Sequence, residues 1–165
     1  SWMIVVLGGT VPMVMLEGHD ISWVDAFFES MSGLTTTGAT VLTGLDHMPK
    51  GLLMHRALLQ WLGGMGIIVL AVAILPMLRI GGMQLYRAET PGPMKDSKLT
   101  PRITETAKAL WLVYLGLTLL CTMAYISAGM NTFDAITHAF TTVPTGGYSN
   151  YDSSISHFNL SLIHI

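Results

Sequence analysis

The chain has 165 residues, 51% of them hydrophobic and only 11% charged, against roughly 25% charged in an ordinary soluble domain. That deficit argues for a membrane chain, and a net charge of −2 without a basic, aromatic-rich patch leaves no footprint for nucleic acid. A single cysteine, Cys121, excludes an intrachain disulfide, and the six histidines lack metal-ligand spacing.

In chain order, the apolar run Trp2–Leu16 comes first. It has neither a basic leader nor a small-residue cleavage site, so it reads as a spanning helix whose beginning lies upstream, not as a signal peptide. Ser22 then stands three residues before Asp25, a helix-start signature. The helix it opens, Asp25–Leu34, is about 15 Å long at 1.5 Å per residue, too short to cross a bilayer. "TTTGAT" (35–40) follows. The stretch 57–78 is uncharged and reaches the roughly 20 residues that a spanning helix needs, as does 109–130.

Of the eight lysines and arginines, all but Lys50 and Arg56 (Arg79, Arg87, Lys95, Lys98, Arg102, Lys108) fall between or beside those two stretches. The positive-inside rule therefore puts that connection in the cytoplasm. Its "TPGP" (90–93) marks a surface loop. Glu17, Asp20, Asp25, Glu29, Asp46, Asp134 and Asp152 then lie on the outer side, as an acidic vestibule that concentrates cations or simply as solvated loop acids. Beyond the second span come Asn131 and Asp134, again a cap three residues before a carboxylate, then "TTVPTGGYSN" (141–150). The closing "FNLSLIHI" reads as the opening turns of another apolar helix, so the chain reads as a fragment.

Sliding the sequence by 109 residues (25 + 109 = 134) lays "DAFFESMSGLTTTGAT" over "DAITHAFTTVPTGGYS" without a gap. Asp25 meets Asp134, Ala26 meets Ala135, Thr36 meets Thr145 and Gly38 meets Gly147. The predicted fold is an all-α polytopic membrane protein of repeated helix–pore loop–helix units with re-entrant helices and extended strands. Residues 1–78 form the first unit, 79–106 the cytoplasmic connection and 107–165 the second unit. A short helix followed by irregular backbone cannot face lipid, so it dips in against other helices or lines a watery path. The alternative is an outer loop carrying a surface helix.

The chemistry of the two stretches suits a cation. A re-entrant helix aims its partially negative C-terminal end inward. Carbonyls can face one axis when the backbone alternates in hand, which glycine permits cheaply. Threonine adds an uncharged acceptor. Together these make a cation filter of Thr-x-Gly loops.

"TTTGAT" and "TTVPTGGYSN", with "QWLGGMGIIVLAVAILPMLRIGGMQLYRAETPGP" between them, resemble the Trk/Ktr/HKT superfamily, and within it the membrane subunits of bacterial Trk potassium uptake systems. The resemblance covers essentially the whole chain. It implies four fused units around one pore in the bacterial inner membrane, each giving one filter strand, with half of the filter in the missing remainder of the subunit. Thr36, Thr37, Gly38 and Ala39 would form one strand and Thr145, Gly146, Gly147 and Tyr148 the next. K+, the transported ion, would be held at Thr36, Thr37, Thr145 and Gly146, with no other cofactor. It also implies a homodimer in lipid that binds a cytosolic nucleotide-binding regulatory subunit. Both strands lack the second glycine of the TVGYG filter of tetrameric potassium channels, which leaves a sodium-permeable or poorly selective transporter as the alternative. Plant members with serine at the glycine matching Gly38 pass sodium, so Gly38→Ser is expected to keep the fold and lower potassium preference.

Other classes fit less well. No nucleophile–base pair partners the threonines and no GxxxxGK[ST] loop is present, so an enzyme is not expected. A non-transporting membrane scaffold stays open. "LGGMG" (62–66) is expected to let a neighbouring backbone approach. His55 and Arg56, near the outer end of their helix, are expected to snorkel or to pair with Asp46.

Overall fold

The computed structural model describes residues 2–16, 21–74 and 99–158. The greater part of the predicted connection, the Arg79-to-Lys98 stretch, and all but the first residue of "FNLSLIHI" lie outside these residues. Among the described residues regular structure is entirely helical: α1 (Trp2–Val14), α2 (Trp23–Leu34), α3 (Lys50–Ile74), α4 (Leu99–Ser127) and α5 (Thr132–Thr142), with short 3₁₀ turns at Leu45–His47 and Ser154–Phe158. α4 begins at Leu99, ahead of the expected boundary at 107. Segments Lys50–Leu70 and Glu105–Ser127 are long and apolar enough to cross a membrane.

The two short helices start where the capping pattern predicts. The Ser22 hydroxyl accepts from the Asp25 amide at 3.1 Å, and the Asn131 side chain accepts from the Asp134 amide at 2.9 Å. Each cap satisfies an amide the first turn would otherwise leave unpaired. Both helices then bury the same face. On α2 it is Ala26, Glu29, Ser30 and Gly33, the i, i+3, i+4, i+7 spacing of one helical stripe; on α5 it is Ala135, His138 and Ala139, the 109-residue equivalents of the first three. Apolar packing alone does not explain a stripe that holds a glutamate and a histidine.

α3 is the central helix: it packs against α1, α2, α4 and α5. Toward the first unit, Val6, Met13, Ala26, Leu34, Leu52 and Leu59 form a buried apolar cluster. Toward the second, Trp61 stacks on Phe140 at 5.1 Å and meets Trp111 edge-on at 5.9 Å. The Tyr114 hydroxyl donates to the Trp61 carbonyl and the Trp61 indole N–H donates to Thr118. The glycines of "LGGMG" serve close approach, as expected. Leu34 backbone sits where a Cβ on Gly63 would be, and Pro144 sits against Gly64. Two elements of different units thus rest on adjacent glycines of one helix.

Candidate functional site

Beyond α2 and α5 the chain leaves the helix in the same way twice. After α2, the amides of Thr36, Thr37 and Gly38 turn back onto the helix end, donating to Gly33 O (3.0 Å), Ser32 O (2.9 Å) and Ser32 O (3.5 Å). After α5, those of Thr145, Gly146 and Gly147 donate to Thr142 O (2.8 Å), Thr141 O (2.9 Å) and Thr141 O (3.2 Å). Every donor and acceptor in the second set is its counterpart in the first displaced by 109 (36 + 109 = 145, 33 + 109 = 142). Backbone dihedrals repeat as well. Thr36 and Thr145 have φ of 55° and 59°, and Gly38 and Gly147 have φ of 78° and 82°. The alternation in hand expected from the glycines is present. The left-handed threonines were not expected, because a β-branched residue resists that conformation.

A trans peptide holds its C=O opposite the N–H of the following residue. With the amides of 36–38 and 145–147 directed at their helix ends, the carbonyls of Thr35, Thr36, Thr37, Pro144, Thr145 and Gly146 are directed away from them. This alters one expectation. The Ser32, Gly33, Thr141 and Thr142 carbonyls at the ends of α2 and α5 are occupied by loop amides, and Pro144 O accepts from the Thr145 hydroxyl at 2.6 Å, so the acceptors turned away from the helix ends are those of Thr35, Thr36, Thr37, Thr145 and Gly146.

The remaining expected residues face other partners. The Ala39 carbonyl accepts from the Ser32 hydroxyl at 2.7 Å, which turns it back into its own unit. Tyr148, its equivalent in the repeat, is buried; its amide donates to Gln60 Oε1 (3.2 Å) and its hydroxyl to the Glu29 carbonyl (2.8 Å). The two strands meet: the Gly146 carbonyl oxygen occupies the place of a Cβ on Gly38, and the Gln60 amide occupies that of a Cβ on Gly146. Gly38→Ser therefore cannot be accommodated as a small polar exchange, as the sequence suggested, because the added Cβ meets backbone. A Cβ on Gly147 meets nothing within 4 Å.

Arg56 corrects a second expectation. It does not pair with Asp46 or reach the outer surface; it is 1% exposed and its Nε lies 2.9 Å from Oε2 of Glu29, which is fully buried. Helical spacing places Glu29 on the packed stripe of α2, but no periodicity argument gives its partner, which is 27 residues away. His55 instead contacts the Gly9 carbonyl at 2.9 Å. Asp152 of the second unit accepts from the amides of Gly44 (2.8 Å) and Leu45 (3.1 Å) of the first. Leu45 and Asp152 also line a cavity of about 410 Å³ shared by both units, with Gly38, Thr40, Gly147 and Ser149 among its other lining residues.

Two capped short helices, each running into a Thr/Gly segment of the same hand and both leaning on one apolar helix, define a membrane protein of repeated helix–loop–helix units. The comparisons give the family. The model of TrkH, described as a cation transport protein, matches residues 1–165. The chain is 58% identical over 164 residues to the Trk system potassium uptake protein TrkH of Vibrio parahaemolyticus, covering 99% of this chain and 34% of that protein. It is 56% identical over 163 residues to the TrkH of Escherichia coli K12, again 99% of this chain and 34% of the relative, and 44% identical over 164 residues to that organism's TrkG, with the same two shares. The crystal structure of the potassium transporter TrkH from Vibrio parahaemolyticus superposes with a TM-score of 0.80 at 51% identity, covering 96% of this chain and 30% of that one. The chain belongs to the TrkH family of cation transport proteins, a family of transporters and not of enzymes. It spans about a third of the length of the relatives it matches.

Proposed function

We propose that the chain is part of a potassium translocation subunit and that its two Thr/Gly segments form two strands of the filter. The observation that carries this reading is the direction of the carbonyls of Thr36, Thr37, Thr145 and Gly146, all turned from their own helix ends by amides bonded to those ends. Such oxygens replace the hydration shell of a monovalent cation, without a covalent step and without a side-chain charge that would trap it. Gly38 and Gly147, together with Thr36 and Thr145, supply the left-handed steps; Ala39 and Tyr148 end the strands and tie them to the protein behind.

In this reading residues 1–78 and 107–165 belong to successive units joined by a cytoplasmic connection at 79–106. The subunit is a multi-pass protein of the bacterial inner membrane, a homodimer, and a partner of a cytosolic nucleotide-binding regulatory subunit. The potassium uptake named for its relatives supports the choice of ion. The test uses the full-length parent protein in a host deficient in potassium uptake. Potassium-dependent growth restored by the wild type supports the reading. No uptake under any regulatory condition, with the protein present in the membrane, contradicts it and favours the scaffold.

A further inference from the structure

Glu29 and Arg56 are both buried, and neither is needed to explain the strands' hydrogen bonds to their helix ends. What they touch suggests a task. Glu29 Oε1 accepts from the Thr40 hydroxyl (2.6 Å) and the Val41 amide (2.8 Å), the backbone just beyond the first strand. Its other oxygen takes Arg56 Nε at 2.9 Å. Arg56 then spreads its planar fork over both units. One Nη donates to Thr40 Oγ1 (2.9 Å), the other to the carbonyl of Ser149 (3.4 Å), and the guanidinium lies 4.2 Å over the Tyr148 ring. One side chain thus holds the Thr40 hydroxyl after the first strand and the Ser149 carbonyl after the second.

The repeat gives an independent check on this register. The equivalent of Glu29 is His138 and that of Thr40 is Ser149 (29 + 109 = 138; 40 + 109 = 149). His138 Nδ1 lies 2.9 Å from the Asp134 carbonyl, so it carries the proton, and Nε2 accepts from the Ser149 hydroxyl at 3.2 Å. In both units the same helix position anchors the same residue past the strand. Only the carboxylate version recruits a cation that reaches the neighbouring unit.

We infer that the Glu29–Arg56 pair is a positioning device that sets the spacing of the two strands and, through it, the preference for potassium over sodium. The inference rests on the filter reading above. Replacing a buried pair that served folding alone would change the amount of folded protein but not its potassium-to-sodium ratio. Replacing a positioning pair would change the ratio, because Thr40 and Ser149 lose their shared partner. Lysine at position 56 keeps the charge but not the fork.

The experiment measures potassium and sodium uptake in parallel, per amount of membrane protein, for the full-length parent and three variants. Arg56→Lys and the double variant Glu29→Gln/Arg56→Gln are each expected to lower the potassium-to-sodium ratio by roughly threefold to tenfold, the lower part of the range for one coupled pair. Thr40→Val, which leaves the ion pair intact, is expected to shift it in the same direction by less. A double variant and a Thr40→Val variant that both keep the wild-type ratio overturn the inference. If the double variant does not accumulate, Thr40→Val decides alone. A wild type without potassium uptake, by contrast, refutes the filter reading and not the brace.

Discussion

Gly38 and Gly147 share a backbone conformation but not a neighbourhood, and that difference separates two effects of substitution. At Gly38 a side chain meets the Gly146 carbonyl as well as an unfavourable φ. Gly38→Ser in the parent protein is therefore expected to lose roughly 1–3 kcal/mol of stability, the range for a strained backbone position, and to lower the potassium-to-sodium uptake ratio. Thermal unfolding of the purified protein beside parallel uptake checks both, and a normal ratio with normal stability would remove Gly38 from the strand. Thr36 is the opposite case, because it already carries strain at φ 55°. Thr36→Gly relieves about 1–2 kcal/mol of left-handed strain and adds roughly 0.5–1 kcal/mol of chain entropy cost. Stability should stay within about 1 kcal/mol while potassium uptake falls, as measured by the same two assays. Glycines announce themselves in a sequence as left-handed candidates. A left-handed threonine does not, because its own preference argues against the conformation and only the helix-end hydrogen bonds impose it.

At the scale of the elements, the short helices were the most legible part of the chain. Ser22 with Asp25 and Asn131 with Asp134 are local signals, complete within four residues, and the caps form as written. Asn131 does more than cap: Asp134, which it holds, also accepts from Asn150 (2.7 Å) and Tyr151 (2.9 Å) beyond the second strand. Asn131→Ala is thus expected to cost about 1 kcal/mol, the usual loss of a cap. Faster hydrogen exchange should appear across 132–142 and extend to 150–151; exchange confined to the first turn would contradict the link. What lay beyond the sequence was the use of the buried stripe. A count of charges places Glu29 among several outer-side acids because it ignores which helix face each occupies. The partner of Arg56 is hidden for a related reason, since distance from a helix end says nothing about a carboxylate on another helix.

For the whole molecule, the duplication found by sliding the chain is also a duplication of geometry, down to paired amides and paired dihedrals. The packing that joins the units was only half legible: "LGGMG" pointed to close approach, but not to Leu34 on one glycine and Pro144 on the next. Gly64→Val should push α5's exit segment from α3 and cost about 1–3 kcal/mol by overpacking. Reduced thermal stability of the parent protein, with both strands' selectivity affected, is the expected outcome; an unperturbed protein would mean that the contact with Pro144 yields freely. The central claim, that these strands present oxygens to a passing potassium ion, is tested most directly at Gly147. A Cβ there meets no atom within 4 Å, so Gly147→Ala changes little except the hand of the backbone. Parallel potassium and sodium uptake by the full-length Gly147→Ala protein should show normal membrane levels with a lowered potassium-to-sodium ratio, whereas a wild-type ratio at normal levels would contradict the assignment of the strand to the ion path.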